Sequence, residues 1–250
     1  MSRIGAVCGG RTALAVSGGT DSVFLLNVLA ACGADVRAYH AVTPFGKPLD
    51  TVRVRSECAR LGVPLTEVRV DTLSDPSVSA NGPGRCYHCK RAIFSAIAGR
   101  ARSDGCTIVA DGTHASDDPG DRPGRRALTE LGVVSPLREA GATKAEVRSM
   151  SRDMGLPTWD MPSDSCLATR VRTGTPLTAD LLSRVASAEA HVSSMGFDGF
   201  RVRTDGSSAT LVLRARDLAR GRGMGPVLLR GIEPYLGCTV LDPEGREDGL

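Results

Sequence analysis

The stretch Thr12-Ala13-Leu14-Ala15-Val16-Ser17-Gly18-Gly19-Thr20-Asp21-Ser22 (TALAVSGGTDS) passes from a short apolar run through two glycines into a helical pattern. Thr12–Val16 has the length and apolar character of a strand buried on both faces. Ser22–Ala31 is helical and closes near Gly33. The join between them is the informative part. Adjacent glycines let the backbone turn so that successive N–H groups and a helix N-terminus face one point, an arrangement that suits an anion. Ser17, Thr20 and Ser22 add hydroxyl donors, and Asp21 is a candidate ligand for Mg²⁺. Neither GxxxxGK(S/T) nor GxGxxG is present in this loop. A plain strand-to-helix turn with a serine cap is the alternative. Paired glycines flanked by hydroxyls at this position favour the anion-binding reading.

Outward from this loop, strands and helices take turns. Val36–Val42 reads as a second strand, Leu49–Leu61 as a helix closed by Gly62, and Leu65–Val70 as a third strand. Tyr87–Ala101 reads as a helix and Thr107–Ala110 as a fourth strand. A helix over 143–154 opens with a capping box, Thr143 and Glu146, and stops at Gly155 before Pro157. Such alternation implies crossover connections, and hence an α/β domain with a parallel sheet covered on both faces. Ligands of such sheets bind at the carboxyl ends of the strands. After the proline-flanked stretch 157–176 the pattern changes. Thr178 can cap a helix over 179–195, followed by strands Phe200–Arg203 and Thr210–Arg214, a helical segment and a last strand near Cys238–Leu241. The expected organisation is a phosphate-binding domain at 1–160, a linker at 161–177 carrying Cys166, a small α+β domain at 178–243, and a disordered tail at 244–250.

Composition narrows the class. The chain has 250 residues, 41% of them apolar and 24% charged, which is ordinary globular usage. No apolar run approaches a bilayer span, and Met1–Gly10 has no apolar stretch of signal-peptide length, so a cytoplasmic protein is expected. A net charge of +3 argues against a nucleic-acid partner. Of the 31 basic residues only Lys47, Lys90 and Lys144 are lysine, a bias that GC-rich coding explains for most positions. The eight cysteines are too sparse for a disulfide scaffold. Cys32, Cys58 and Cys106 read as small core residues.

Three further segments carry chemistry. Asp111-Gly112-Thr113 follows the fourth strand, where a second loop would meet the first, and Asp117 and Asp118 beyond it read as solvated. Arg85-Cys86-Tyr87-His88-Cys89-Lys90 holds a CxxC at a helix start. Such a pair can be redox-active, half of a zinc site or part of an iron–sulfur site. A zinc site would need two more ligands, and no second CxxC exists. Ser163-Asp164-Ser165-Cys166-Leu167-Ala168-Thr169-Arg170 places a cysteine among polar residues beside an arginine, a setting that favours an ionisable thiol.

SGGTDS resembles the loop by which PP-loop ATP pyrophosphatases hold pyrophosphate while a substrate is adenylated. Together with RCYHCK, DGTHASDD, RPGRRA, GVVSPL, CLATR and RVR, in this order, the chain resembles the LarE family over roughly residues 8 to 242. One departure is Gly120–Gly124, which lacks the tyrosine the family carries before RPG. The resemblance implies an ATP-dependent sulfur transferase that converts carboxylates of a pyridinium dicarboxylate mononucleotide into thiocarboxylates for the nickel-pincer nucleotide cofactor. It implies ATP at Ser17, Gly18, Gly19, Thr20, Asp21, Ser22, Asp111, Gly112 and Thr113, with Mg²⁺ on Asp21. It also implies substrate binding by Arg170, Arg201 and Arg203, with Glu189 as a base. Cys86, Cys89 and Cys166 are then the expected ligands of a [4Fe–4S] cluster that carries the sulfur, the alternative being Cys166 as a sacrificial donor. The family forms homo-oligomers, and its partner is a small nucleotide, with no nucleic acid or membrane involved. Other PP-loop chemistry, such as tRNA thiolation, and a non-catalytic nucleotide-binding regulator are the competing classes.

Overall fold

The computed structural model describes residue 4 and residues 9–117, 123–162 and 164–247. The chain divides into two compact units, one of Met1–Thr43, Pro48–Thr72 and Gly84–Met161, the other of Pro44–Lys47, Leu73–Pro83 and Pro162–Leu250. The second unit therefore takes two short segments from the first half of the chain.

In the first unit the elements are β1 (Thr12–Ala15), α1 (Thr20–Ala31), β2 (Val36–Val42), α2 (Pro48–Leu61), β3 (Leu65–Arg69), α3 (Arg85–Ser103), β4 (Ile108–Ala110), α4 (Pro123–Glu130) and α5 (Lys144–Asp153). The four strands are parallel in the order β3-β2-β1-β4. Val134 continues the sheet beyond β4, its N–H donating to the Val109 carbonyl at 2.9 Å. The chain thus builds outward from β1 to β3, then returns to add β4 on the other side of β1. That reversal opens a crevice at the carboxyl ends of β1 and β4. Alternation along β1 separates two cores. Leu14 joins Phe24, Leu25 and Val54 on one face, while Ala13 meets Tyr39 and Ile97 on the other. α1 is buried almost all round, from Val23 through Leu29, which is why it reads as apolar rather than amphipathic. Thr143 and Glu146 form the expected capping box of α5. α4 and the helical turn Pro136–Glu139 were not legible as helices, each beginning at a proline that the pattern reads as a break. Among the described residues no helix is long and apolar enough to cross a membrane.

The second unit contains α6 (Ala179–Ser194), β5 (Arg201–Thr204), β6 (Ser208–Val212), α7 (Gly225–Leu236) and β7 (Cys238–Leu241). β5 and β6 are antiparallel, and β7 runs parallel to β6. The Thr178 hydroxyl accepts from Leu181 N–H at 3.1 Å, capping α6 as expected. β6 begins two residues before the predicted Thr210. The turn into it is tight because Asp205 Oδ1 accepts from the N–H groups of Ser207 and Ser208, which hold its carboxyl below the usual carboxylate range. The expected disordered tail is corrected over residues 244–247. Arg246 N–H donates to the Leu213 carbonyl at 2.8 Å, and its guanidinium donates to the Gly199 carbonyl at 2.8 Å. The remaining tail residues, 248–250, lie outside the described residues.

This unit is organised around a buried charge. Arg170 closes the short 3₁₀ turn Leu167–Arg170, and its side chain has no exposed surface. Its Nε donates to Glu189 Oε1 at 2.7 Å and its Nη2 to Asp164 Oδ1 at 2.7 Å. Its Nη1 donates to the Ser165 carbonyl and hydroxyl at 2.8 and 2.9 Å. Lys47 completes the cluster, 2.6 Å from Asp164 and 3.0 Å from Glu189. Burial works to raise the Asp164 carboxyl, but Lys47 and Arg170 outweigh it and leave the group below its ordinary value. Removing Arg170 takes from the buried Glu189 carboxylate its closest cation. Arg170→Ala should therefore cost about 3–5 kcal/mol of stability, read from the urea midpoint. A loss below about 1 kcal/mol would mean the cluster behaves as a surface ion pair.

Candidate active site

The glycine loop has the geometry that anion binding requires. Gly18 sits at φ +88°, and a Cβ there would lie 3.0 Å from the Asp50 carbonyl oxygen. Only glycine accommodates both conditions. Arg53 Nη1 fastens the turn from outside, donating to the Gly18 carbonyl and to Asp50 Oδ1, each at 2.9 Å. Ser22 Oγ accepts from Ser17 N–H at 3.2 Å and donates to the Gly19 carbonyl at 3.1 Å, and the two serine hydroxyls lie 3.1 Å apart. Gly19 is the N-cap of α1 and provides no side-chain cap, which leaves first-turn N–H groups for an external acceptor. Thr20 departs from its expected part as a donor to the anion. It is buried, and its hydroxyl donates to the Thr158 carbonyl at 2.7 Å. Asp21 is paired with Lys144, whose Nζ is 2.6 and 2.7 Å from the two carboxylate oxygens.

The loop after β4 is pressed against this one. A Cβ on Gly112 would stand 2.9 Å from the Ser22 nitrogen and 3.1 Å from the Ser22 Cα. Asp111, buried at the strand end, fixes its own loop by accepting from Thr113 N–H, the Thr113 hydroxyl and the Ser135 hydroxyl. Asp117 accepts from His114 N–H at 3.0 Å, while Asp118 lies outside the described residues. Behind β1, His40 Nδ1 donates to the Val16 carbonyl at 2.8 Å, and its Nε2 lies 2.9 Å from the Thr51 hydroxyl, which steadies the strand that enters the loop.

None of the three chemical cysteines is in a disulfide. Cys86 and Cys89 lie one turn apart at the start of α3, Cys86 exposed and Cys89 partly so. α4 packs closely there, with a Cβ on Gly124 meeting Lys90 Cδ at 2.9 Å and the Cys86 carbonyl oxygen at 3.4 Å. Cys166 is exposed at the N-cap of its 3₁₀ turn, and its carbonyl accepts from Thr169 N–H and hydroxyl at 3.0 and 2.8 Å. Among the described residues no three His, Cys, Asp or Glu side chains are grouped around a metal position.

In the second unit Arg201 and Arg203 share one face of β5, as period two requires, while Val202 and Thr204 are buried on the other. Arg201 Nε is buried with no hydrogen-bond partner. Burial, followed by the guanidiniums of Arg246, Arg170 and Arg203, pushes Arg201 below its ordinary value. Two guanidiniums, those of Arg201 and Arg203, thus project from one face of β5. Two of the expected site residues are engaged by neighbours. Arg170 has its N–H groups committed to Glu189, Asp164, Ser165 and Thr169. Glu189, expected as a base, is engaged at Oε1 by Arg170 and Val202 N–H, and at Oε2 by Lys47. Lys144 and Lys47 were missed. Their signal was their identity, two of the chain's three lysines among 31 basic residues.

No family model matches the chain. It is 33% identical over 204 residues to an uncharacterized protein of Synechocystis, covering 81% of this chain and 76% of that one. It is 32% identical over 205 residues to the pyridinium-3,5-bisthiocarboxylic acid mononucleotide synthase of Lactiplantibacillus plantarum, covering 81% of this chain and 74% of that one. Among solved structures it is similar to NMN synthetase from Francisella tularensis, with a TM-score of 0.51, 14% identity, and coverage of 65% of this chain and 71% of that one. That likeness concerns the fold alone, the α/β PP-loop arrangement whose strand-end loops have just been described. The identity to the synthase spans 81% of the chain, and on that ground the chain belongs to the LarE family.

Proposed function

We propose that this protein is an ATP-dependent sulfur transferase that adenylates a carboxylate of a pyridinium dicarboxylate mononucleotide and converts it to a thiocarboxylate. The observation that carries this reading is the meeting of two strand-end loops at the switch point. There Gly112 touches the Ser22 backbone, and the uncapped N-terminus of α1 lies beside Lys144. The relative of known activity carries a synthase name with the same product class.

A carboxylate is a poor electrophile, so it must be activated before sulfur can displace its oxygen. A carboxylate oxygen attacks the α-phosphorus of ATP, the bond to the bridging oxygen breaks, and pyrophosphate leaves with that electron pair. A sulfur nucleophile then adds to the acyl-adenylate carbonyl and expels AMP. The protein's part in the first step is electrostatic, because charge must be held on the departing pyrophosphate. Main-chain N–H groups at Ser17–Ser22 and the Lys144 ammonium supply it. Asp21 is the residue that would hold Mg²⁺, whose charge neutralises phosphate oxygens when bound. Arg201 and Arg203 are assigned to the phosphate and second carboxylate of the substrate. Arg170, Glu189 and Lys47 position the Cys166 loop.

For the sulfur, Cys86, Cys89 and Cys166 are proposed to hold a [4Fe–4S] cluster. The donor set fits in kind, being three cysteines outside any disulfide, of which two share one helical turn. Such a cluster with three thiolates supplies an iron open to an exchangeable sulfide. The alternative is Cys166 giving up its own sulfur once.

Three measurements follow from this assignment. Asp21→Ala should lower substrate-dependent pyrophosphate release at least 100-fold with little change in melting temperature, and release at the wild-type rate would remove the loop from the reaction. Arg201→Ala and Arg203→Ala should each weaken substrate binding by about 1.5–3 kcal/mol while sparing ATP affinity. Equal losses for both ligands would place them in the nucleotide site. Anaerobically reconstituted protein given sulfide should turn over more than once. A single turnover that leaves Cys166 lighter by one H₂S would establish the sacrificial route.

A further inference from the structure

The loop after β4, α4 and the turn Pro136–Glu139 line a half-open cavity of about 160 Å³ in the first unit, its walls including Thr113, Arg125, Thr129, Ser135, Arg138 and Glu139. Its hydroxyl hydrogens are already spent. Thr113 and Ser135 donate to Asp111, and Thr129 donates to the Arg125 carbonyl at 3.3 Å. What remains are two guanidinium nitrogens, Arg125 Nη1 and Arg138 Nη1, both buried and both without a hydrogen-bond partner. One unpartnered buried charged donor is costly, and two on residues that line one cavity call for an acceptor that can satisfy both. The backbone that carries Arg138 is fixed, its N–H donating to the Thr113 carbonyl at 3.2 Å.

The cavity selects the acceptor by charge and size. Guanidinium forks match the oxygens of phosphate and carboxylate, and two of them exceed the single carboxylate of Glu139 on the same wall. The carboxylate of Asp111 is covered by its three donors from Thr113 and Ser135. About 160 Å³ equals the liquid volume of about five waters, and it falls well short of the roughly 300 Å³ at which pockets for whole drug-sized ligands begin. We propose that this cavity is a binding site for one tetrahedral phosphate group, held between Arg125 and Arg138 and separate from the Ser17–Ser22 loop. The group is either free inorganic phosphate or the terminal phosphate of a nucleotide. The assignment rests on the cavity alone and does not depend on the reaction proposed above.

The test is thermal unfolding of the full chain with inorganic phosphate as the probe, in the presence of a saturating non-hydrolysable ATP analogue that occupies the glycine loop. Wild-type protein should melt about 5–10 °C higher at a phosphate concentration 100 times the dissociation constant. Arg138→Gln and, as an independent variant, Arg125→Gln should each lose most of that rise. In phosphate-free buffer both should melt at or above the wild type, because each removes an unpartnered buried charge. A rise that is undiminished in both variants, or one abolished by the ATP analogue in the wild type, would overturn the proposal by assigning the phosphate to the glycine loop. Both variants melting below the wild type without phosphate would also overturn it, since the arginines would then be satisfied structural residues. Ribose 5-phosphate distinguishes the sources. It reproduces the rise if the group is carried by a nucleotide and leaves the melting temperature unchanged if the ligand is free phosphate.

Discussion

The first unit depends on the contact between Gly112 and the backbone of Ser22. Two loops from strands far apart in sequence come so close that no side-chain carbon fits between them. The contact exists because β4 is laid beside β1 on the side opposite to β2, so the loops that leave β1 and β4 diverge from adjacent strand ends. From this follow the position of Asp111, the orientation of the α1 N-terminus and the approach of Lys144 to Asp21. A parallel sheet makes such a crevice without any residue being chosen for catalysis. The chemistry is then added by what the loops carry.

The second unit is built on another constraint, a guanidinium taken out of water. Arg170 can be fully buried only because Glu189, Asp164, Ser165 and Thr169 supply oxygens on every side of its fork. The result is a rigid turn that presents Cys166 at the surface with its carbonyl tied down. Lys47 balances the second carboxylate of the same cluster. Together the four side chains of Lys47, Asp164, Arg170 and Glu189 give the Cys166 loop a defined shape, a service that does not require any of them to touch a substrate.

Lysine usage gains meaning in this light. Where coding bias favours arginine, a lysine that persists marks a place where a compact, three-donor ammonium does what a planar fork does not. Lys144 reaches both oxygens of Asp21, and Lys47 bridges Asp164 and Glu189. Arginines Arg125 and Arg138, by contrast, could not be told from the rest in the sequence. Their distinction is a buried nitrogen without a partner, which only packing creates.

The sequence by itself determined the order of strands and helices, the caps at Thr143 and Thr178, the glycine loop between β1 and α1, and the family. These are local matters of period, turn chemistry and motif, each contained within a few residues. It also put Arg201 and Arg203 on one face, since strand geometry alone demands it. What it left open was pairing across the chain. Thr20 looked like one more hydroxyl for an anion until its hydrogen was found on the Thr158 carbonyl, 138 residues away. Arg170 looked like a ligand for substrate, and Glu189 like a base, because a sequence records charge but not burial. The tail looked disordered because its composition is charged and glycine-rich, yet Arg246 finds backbone partners on Leu213, Ala215 and Gly199. Whether a charged side chain serves the fold or a ligand turns on which opposite charges and backbone groups surround it, and the tertiary structure decided that.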